Sequence, residues 1–173
     1  EGEPTTTTDA QGNFNFPEGT PGGALVSIGG TDISTGLLFT GSMTAPAESK
    51  VVTPITTLID RLAERDTDPN RTTADKVANA QATLKTLLGL GDLESDLTQI
   101  DYVAEAFEGD MFGDVDGISD VEAVQIYARA VQIMSFVTAT ASVLVGAGLT
   151  MNAATSAAYE AFLDRLLAQG EAK

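Results

Sequence analysis

The sequence contains no cysteine, no histidine and no tryptophan among its 173 residues. Without histidine and cysteine, the Ser-His-Asp and Cys-His catalytic arrangements are excluded, together with thiolate chemistry. Ordinary zinc sites, which take their ligands from these two residue types, are excluded as well. The absence of disulfides leaves the cellular compartment open. We therefore predict a protein that is not an enzyme.

Basic residues are also scarce. Nine lysines and arginines stand against 25 aspartates and glutamates, the net charge is −16, and no basic residue occurs before Lys50. A surface this acidic repels phosphate backbones and anionic lipid headgroups, so we predict neither a nucleic-acid partner nor membrane insertion. It suits a medium of high salt, or the binding of divalent cations through carboxylates.

Charged residues are missing altogether from residues 130–159, a run of 30. A membrane span needs about 20 continuous and strongly apolar residues. This run contains serines, threonines, Gln132 and Asn152, and Gly146, Ala147 and Gly148 interrupt it near the middle. We therefore expect two buried helices joined by a tight turn, with a membrane span as the less favoured alternative.

The remaining composition is that of a folded domain, with 43% hydrophobic residues and a mean hydropathy of +0.06. Residues 1–50 are rich in Gly, Thr and Pro, which indicates short strands separated by turns. The predicted strands are 5–8, 14–16, 24–28, 37–40 and 42–44. Such short strands are too few to close a sandwich, so we expect an incomplete antiparallel β unit.

The architecture changes at residues 51–62. Thr53 is a good N-cap because its hydroxyl can accept from a backbone N–H that the first helical turn leaves unpaired. Pro54 follows at the first helical position, where its missing N–H costs nothing. An apolar stripe with helical spacing comes next: Ile55, Leu58, Ile59 and Leu62.

Four further helices are predicted after this one. Two start at capping boxes, Thr72 with Asp75 and Ser119 with Glu122. The four helices are predicted at about 72–88, 92–109, 119–145 and 150–168, and Asp92 is the predicted cap of the 92–109 helix. The apolar residues of the 119–145 helix spread around most of its circumference, so we expect a central helix covered on several sides. The predicted fold class is α+β and mostly α, with a β unit at 1–50 packed on an Ala-rich bundle of about five helices at 51–173.

The densest acidic cluster precedes and enters the fourth helix. Its members are candidate calcium ligands, because calcium prefers six to eight oxygen ligands from a flexible loop: Asp110, Asp114, Asp116, Asp120 and Glu122. The spacing imitates an EF-hand only in part, since the glycine and the downstream glutamate are out of register. The alternative, which we favour, is a solvated turn in which Ser119 and Glu122 serve the helix N-terminus. Calcium is the only candidate cofactor.

Residues 24–36, 39–41, 45–47 and 51–59 resemble a module of very large secreted bacterial surface proteins, of the RTX or cadherin-like adhesin type. In that family, a β-sandwich called SdrD B-like or carboxypeptidase-regulatory-like continues through a "VVTPLTTL" junction into an Ala-rich helical region. The resemblance implies an extracellular location at the bacterial cell surface. The opening residues resemble the later part of such a sandwich, so we expect a processed or excised piece of a longer chain.

These observations favour a structural or adhesive module, possessing calcium-stiffened turns if the acidic cluster binds metal. Its expected partners are other copies of itself or neighbouring domains, through filament formation by strand complementation at the incomplete β unit. The alternative is a ligand-binding bundle or an accessory domain of an extracellular hydrolase. Its pocket would lie between the fourth and fifth helices. We favour the interpretation that the residues at this place are ordinary core: Met134, Phe136, Met151, Tyr159 and Phe162.

Overall fold

The computed structural model describes residues 3–31, 36, 38–108 and 119–171, except for the side chains of residues 107, 108 and 120. In this part of the chain two strands precede five helices, which confirms the predicted α+β and mostly α class. The elements in order are β1 Leu25–Ile28, β2 Ser42–Ala45, α1 Pro54–Arg65, α2 Thr73–Leu88, α3 Tyr102–Glu108, α4 Asp120–Gly146 and α5 Met151–Glu171.

The two strands form one antiparallel hairpin, in which Leu25 pairs with Ala45 and Ile28 pairs with Ser42. The strands predicted at 24–28 and 42–44 are therefore confirmed. Those predicted at 5–8 and 14–16 are wrong, since residues 3–23 contain no strand. Side chains hold that region instead, because the Asp9 carboxylate accepts the backbone N–H of Asn13 and the Thr6 hydroxyl donates to the carbonyl of Asn15.

The helix starts agree closely with the capping residues of the sequence. Thr53, Thr72 and Ser119 each form a capping box at the start of α1, α2 and α4. The α2 helix ends at Gly89, whose φ of 71° lies in the left-handed region that glycine adopts without steric cost. Local side-chain chemistry is sufficient to place these boundaries.

The third predicted helix is wrong over its first half, because residues 92–101 form turns and α3 begins only at Tyr102. Side chains of α2 satisfy the backbone of these turns. Lys85 donates to the carbonyl oxygens of Leu93 and Ser95, and the Gln81 side chain accepts the N–H of Leu97. These long-range bonds replace the i to i−4 bonds of a helix.

One continuous hydrophobic core joins the helices and the 90–100 turns. Its larger members are fully buried, and they come from α1, α2, α4, α5 and the turns: Ile55, Leu58, Ile59, Leu84, Leu97, Ile126, Ile133, Tyr159 and Leu163. The hairpin packs on this core through β2, which contacts both α1 and α5. Gly41 lies directly against Thr155 of α5, so that a Cβ at this position would collide with the Thr155 side chain.

The contacts of α4 with α1, α3 and α5 agree with the predicted central position of the fourth helix, but the prediction that it is covered on several sides is wrong. One face of α4 is buried, but Val121 is 67% exposed and Val143 is 72% exposed. The segment Val121–Gly146 has the length and mean hydropathy of a membrane span, a property that some helices of soluble proteins share. The predicted tight turn after α4 is confirmed, with Gly148 at a φ of +104°.

Candidate functional site

The two outer edges of the hairpin differ. In an antiparallel pair, the backbone N–H and C=O groups of successive residues point alternately toward the partner strand and away from it. This alternation identifies the backbone groups on each outer edge. The N–H of Gly29 donates to the carbonyl of the facing Gly41 at 2.9 Å, so Gly29 and Gly41 form a hydrogen-bonded pair of the hairpin. Hydrogen-bonded and non-bonded pairs alternate along an antiparallel ladder. The backbone groups of Val26 and Ile28 therefore point to the outer edge of β1, and those of Thr44 point to the outer edge of β2.

The outer edge of β2 is closed by threonine side chains of α1. The N–H of Thr44 donates to the Thr57 hydroxyl at 3.0 Å, and the carbonyl of Thr44 lies 3.1 and 3.2 Å from the Thr57 and Thr56 hydroxyls. The carbonyl of Thr53 lies 2.9 Å from the Thr57 hydroxyl and 3.0 Å from the Thr56 hydroxyl, so two hydroxyl hydrogens serve two carbonyls. We call Thr44, Thr53, Thr56 and Thr57 the threonine junction. Thr56 and Thr57 are fully buried there.

Two buried tyrosines border the threonine junction. Burial raises the pKa of Tyr102, although a hydrogen bond with Thr53 acts in the opposite direction. Burial likewise raises the pKa of Tyr159, against a hydrogen bond with Thr57 and the nearby Arg61 guanidinium. Both phenols therefore stay neutral at physiological pH, and they surround the junction with apolar rings that exclude water.

Ion pairs attach α5 to α1 beside the junction. Arg61 pairs with Glu160 at 2.6 Å, Arg65 pairs with Asp164 at 2.7 Å, and Arg65 also pairs with Glu160. Burial would raise the pKa of Glu160, but its hydrogen bonds from Arg65 and Arg61 outweigh that effect and lower the pKa. The Arg61 guanidinium also lies 5.7 Å from the centre of the Tyr159 ring. These contacts fix the helix against which the hairpin packs.

The outer edge of β1 is open. Val26 is 62% exposed and Ile28 is 70% exposed, and these residues also hold the outward backbone groups. Within the described ranges no further strand pairs with this side of β1. An unpaired edge with apolar side chains is a template for an added strand. The β1 edge is therefore the candidate functional site.

Of the predicted calcium ligands, only Glu122 has a side chain that the structure describes. Asp110, Asp114 and Asp116 lie outside the described residues, and Asp120 begins α4 with a side chain that is also outside them. Glu122 accepts from the N–H and the hydroxyl of Ser119, both at 2.9 Å, and these bonds lower its pKa. Glu122 thus caps the N-terminus of α4. This is the role that the favoured alternative to calcium binding predicts for it. In the described part of the chain, no three His, Cys, Asp or Glu residues form a group that could hold a metal ion.

Calcium binding by the acidic cluster stays a prediction. If Asp114 and Asp116 are ligands, calorimetric titration with calcium gives a saturable heat that disappears in the double variant Asp114→Ala, Asp116→Ala. The matched control is Asp92→Ala, an exposed carboxylate distant in sequence from the cluster. Equal heats for the native chain and the double variant would leave only the capping interpretation.

The residues expected to wall a ligand pocket contact one another. The Phe136 and Phe162 rings meet edge to face with centroids 5.3 Å apart, and the Tyr159 hydroxyl lies 3.4 Å from the sulfur of Met134. A separate open groove of about 220 Å³ lies between α1 and α2. Two of its cations, Arg65 and Arg71, are already paired with carboxylates.

The threonine junction was not predicted beyond the capping role of Thr53. A signal was present in the sequence, since Thr56 and Thr57 occupy the first turn of α1 between the apolar residues Ile55 and Leu58. Threonine hydroxyls on a buried face need partners, because an unpaired buried hydroxyl destabilises the fold. Nothing in the sequence showed that the partner would be the backbone of β2.

Comparison of the chain with family models, curated proteins and solved structures gives no match. The proposals that follow therefore rest on the geometry of the hairpin and of the helices, and on the resemblance of residues 24–59.

Proposed function

We propose that this chain is a non-enzymatic structural module, of adhesive type, of a secreted bacterial surface protein. It assembles with copies of itself by adding a strand to the open edge of β1. The observation that supports this most strongly is the asymmetry of the hairpin, whose β2 edge is closed by Thr56 and Thr57 while the β1 edge presents Val26 and Ile28.

The asymmetry directs assembly to one side. Backbone N–H and C=O groups on an open strand edge bond to an incoming strand, and exposed side chains of the same strand select it. On the β2 side, the Thr57 hydroxyl already occupies the N–H of Thr44. An incoming strand therefore finds unpaired backbone partners at β1.

The best donor strand in the described residues is the threonine arm, residues 5–8. These four residues are β-branched and exposed, and they belong to no strand of their own fold. Threonine favours strands because its branched side chain packs well on a pleated surface. A threonine arm that joins the β1 edge of the next copy makes a head-to-tail contact, and such contacts build open filaments when the rotation does not close a ring.

The chemistry of the chain agrees with a structural role. The sequence provides no histidine or cysteine for catalysis. The three tyrosines do not form an exposed binding platform, because Tyr102 and Tyr159 are buried. The resemblance of residues 24–59 to surface adhesin modules supports a secreted location at the bacterial cell surface.

Blocking the β1 edge is expected to abolish this assembly. Val26→Pro removes an outward N–H without removing a bond to β2, and Val26→Lys places a charge on the edge. Light scattering after size exclusion is expected to show assemblies larger than a dimer for the native chain, and these larger assemblies disappear in both variants and in a chain lacking residues 1–8. The matched control is Ala82→Lys, which adds the same charge to an exposed position of α2. Oligomers that persist unchanged in Val26→Lys would contradict the proposal.

A further inference from the structure

The exposed side of α4 has a regular pattern. Exposed residues of small or apolar type recur at steps of three or four along most of the 27-residue helix, and positions 121, 128, 135 and 142 are seven residues apart. We call this set the outer row: Val121, Val124, Ala128, Val131, Ser135, Ala139, Ser142 and Gly146. A seven-residue repeat of this kind is the pattern of a helix seam that packs against another helix. In the described structure no other element covers the outer row.

The charge of the chain indicates the partner. Net charge is −16, yet no Asp, Glu, Lys or Arg occurs between Arg129 and Glu160. Two copies that meet through any acidic surface repel each other, whereas two copies that meet through the outer row bring no like charges into contact. A second copy is therefore the occupant that this surface suits.

The polar members of the outer row can be buried without losing hydrogen bonds. The Ser135 hydroxyl donates to the carbonyl of Val131 at 2.8 Å, and the Ser142 hydroxyl donates to the carbonyl of Thr138 at 2.8 Å. Because these hydroxyls are already paired within the helix, covering them leaves no donor unsatisfied.

We propose that the outer row is the interface of an antiparallel homodimer whose twofold axis passes beside Ser135. An antiparallel pair centred there places Val124 opposite Gly146 and Val131 opposite Ala139, while Ala128 and Ser142, which are both small, face each other. Facing a valine with a smaller residue lets the two helices approach closely over residues 124–146.

The area suits a weak dimer. In this register residues 124–146 of the two helices overlap, a length of about 34 Å. A contact strip of about 12 Å width along it buries roughly 400 Å² per copy, or about 800 Å² in total, which lies in the range of weak and transient interfaces. The outer row is a different surface from the β1 edge, so the dimer and the strand-mediated assembly can be tested independently.

Cysteine cross-linking tests the register directly, because the chain contains no cysteine of its own. At interaxial distances of 8–10 Å, Cα atoms that face each other across the seam are about 4–6 Å apart, which a disulfide can span. Ser135→Cys is expected to form a covalent dimer on mild oxidation. Ala128→Cys alone is expected to form no covalent dimer on oxidation, whereas a mixture of Ala128→Cys and Ser142→Cys cross-links.

A charge in the outer row is expected to dissociate the dimer. In sedimentation equilibrium, Val131→Lys should raise the dimer dissociation constant at least 100-fold, with Ala82→Lys as the control of equal charge. Val26→Pro, which blocks the β1 edge, is expected to leave this dimer intact. The proposal is overturned if Ser135→Cys fails to cross-link, if Val131→Lys dimerises like the native chain, or if the outer row engages only lipid vesicles.

Discussion

Replacement of Thr57 by valine is expected to lower the free energy of unfolding by about 2–3 kcal/mol. Valine keeps the shape of threonine but removes the hydroxyl, which accepts the N–H of Thr44 and lies within bonding distance of the carbonyls of Thr44 and Thr53. Each buried backbone group that loses its partner costs about 1–3 kcal/mol. Urea unfolding followed by circular dichroism measures the change.

The matched control for this variant is Thr86→Val. The Thr86 hydroxyl also bonds to a backbone carbonyl, that of Ala82 at 3.1 Å, but it does so on an exposed helix face. Its removal should change stability by less than about 0.5 kcal/mol. In Thr57→Val, hydrogen exchange at the amide of Thr44 should also accelerate relative to the native chain. Equal stabilities of the two variants would show that the threonine junction does not attach the hairpin to α1.

Replacement of Ile133 by alanine is expected to destabilise the chain by about 3 kcal/mol, because large-to-small changes in a core cost about 2–5 kcal/mol. Ile133 is fully buried on the inner face of α4. Val143→Ala, at an exposed position of the same helix, should cost less than about 0.5 kcal/mol, since Val143 is 72% exposed.

The contrast between these two variants tests how α4 is packed. A central helix covered on several sides would lose stability at both positions by comparable amounts. A helix with one buried face loses stability only at Ile133. Thermal and urea unfolding at concentrations below the dimer dissociation constant separate intrinsic packing from the proposed self-association. A large loss in Val143→Ala would contradict the packing described for α4.

The predicted helix boundaries depend on local chemistry, which explains their success. A threonine or serine followed three residues later by an acceptor caps its own helix, and Pro54 suits the first turn whatever surrounds it. The same locality explains why the hairpin strands at 24–28 and 42–44 were predictable. Glycines at 29, 30 and 41 limit those strands from within the chain.

The failed predictions depend on distant partners. Residues 92–101 have the apolar spacing of a helix, but Lys85 and Gln81 of α2 satisfy their backbone as turns. The threonines at 5–8 have strand propensity, yet a strand needs a neighbour with unpaired backbone groups, and propensity alone does not supply one.

The sequence by itself determined the acidity of the chain, the absence of histidine and cysteine chemistry, the mostly helical class and the capped starts of α1, α2 and α4. Only the tertiary structure decided that the outer edge of β2 is closed by Thr56 and Thr57, whereas no described strand pairs with the outer edge of β1. It also decided that α4, which has apolar residues on most of its sides, buries only one face. The physical reason is that composition and capping act within a few residues. Edge closure and burial depend on which surfaces meet after the chain has folded.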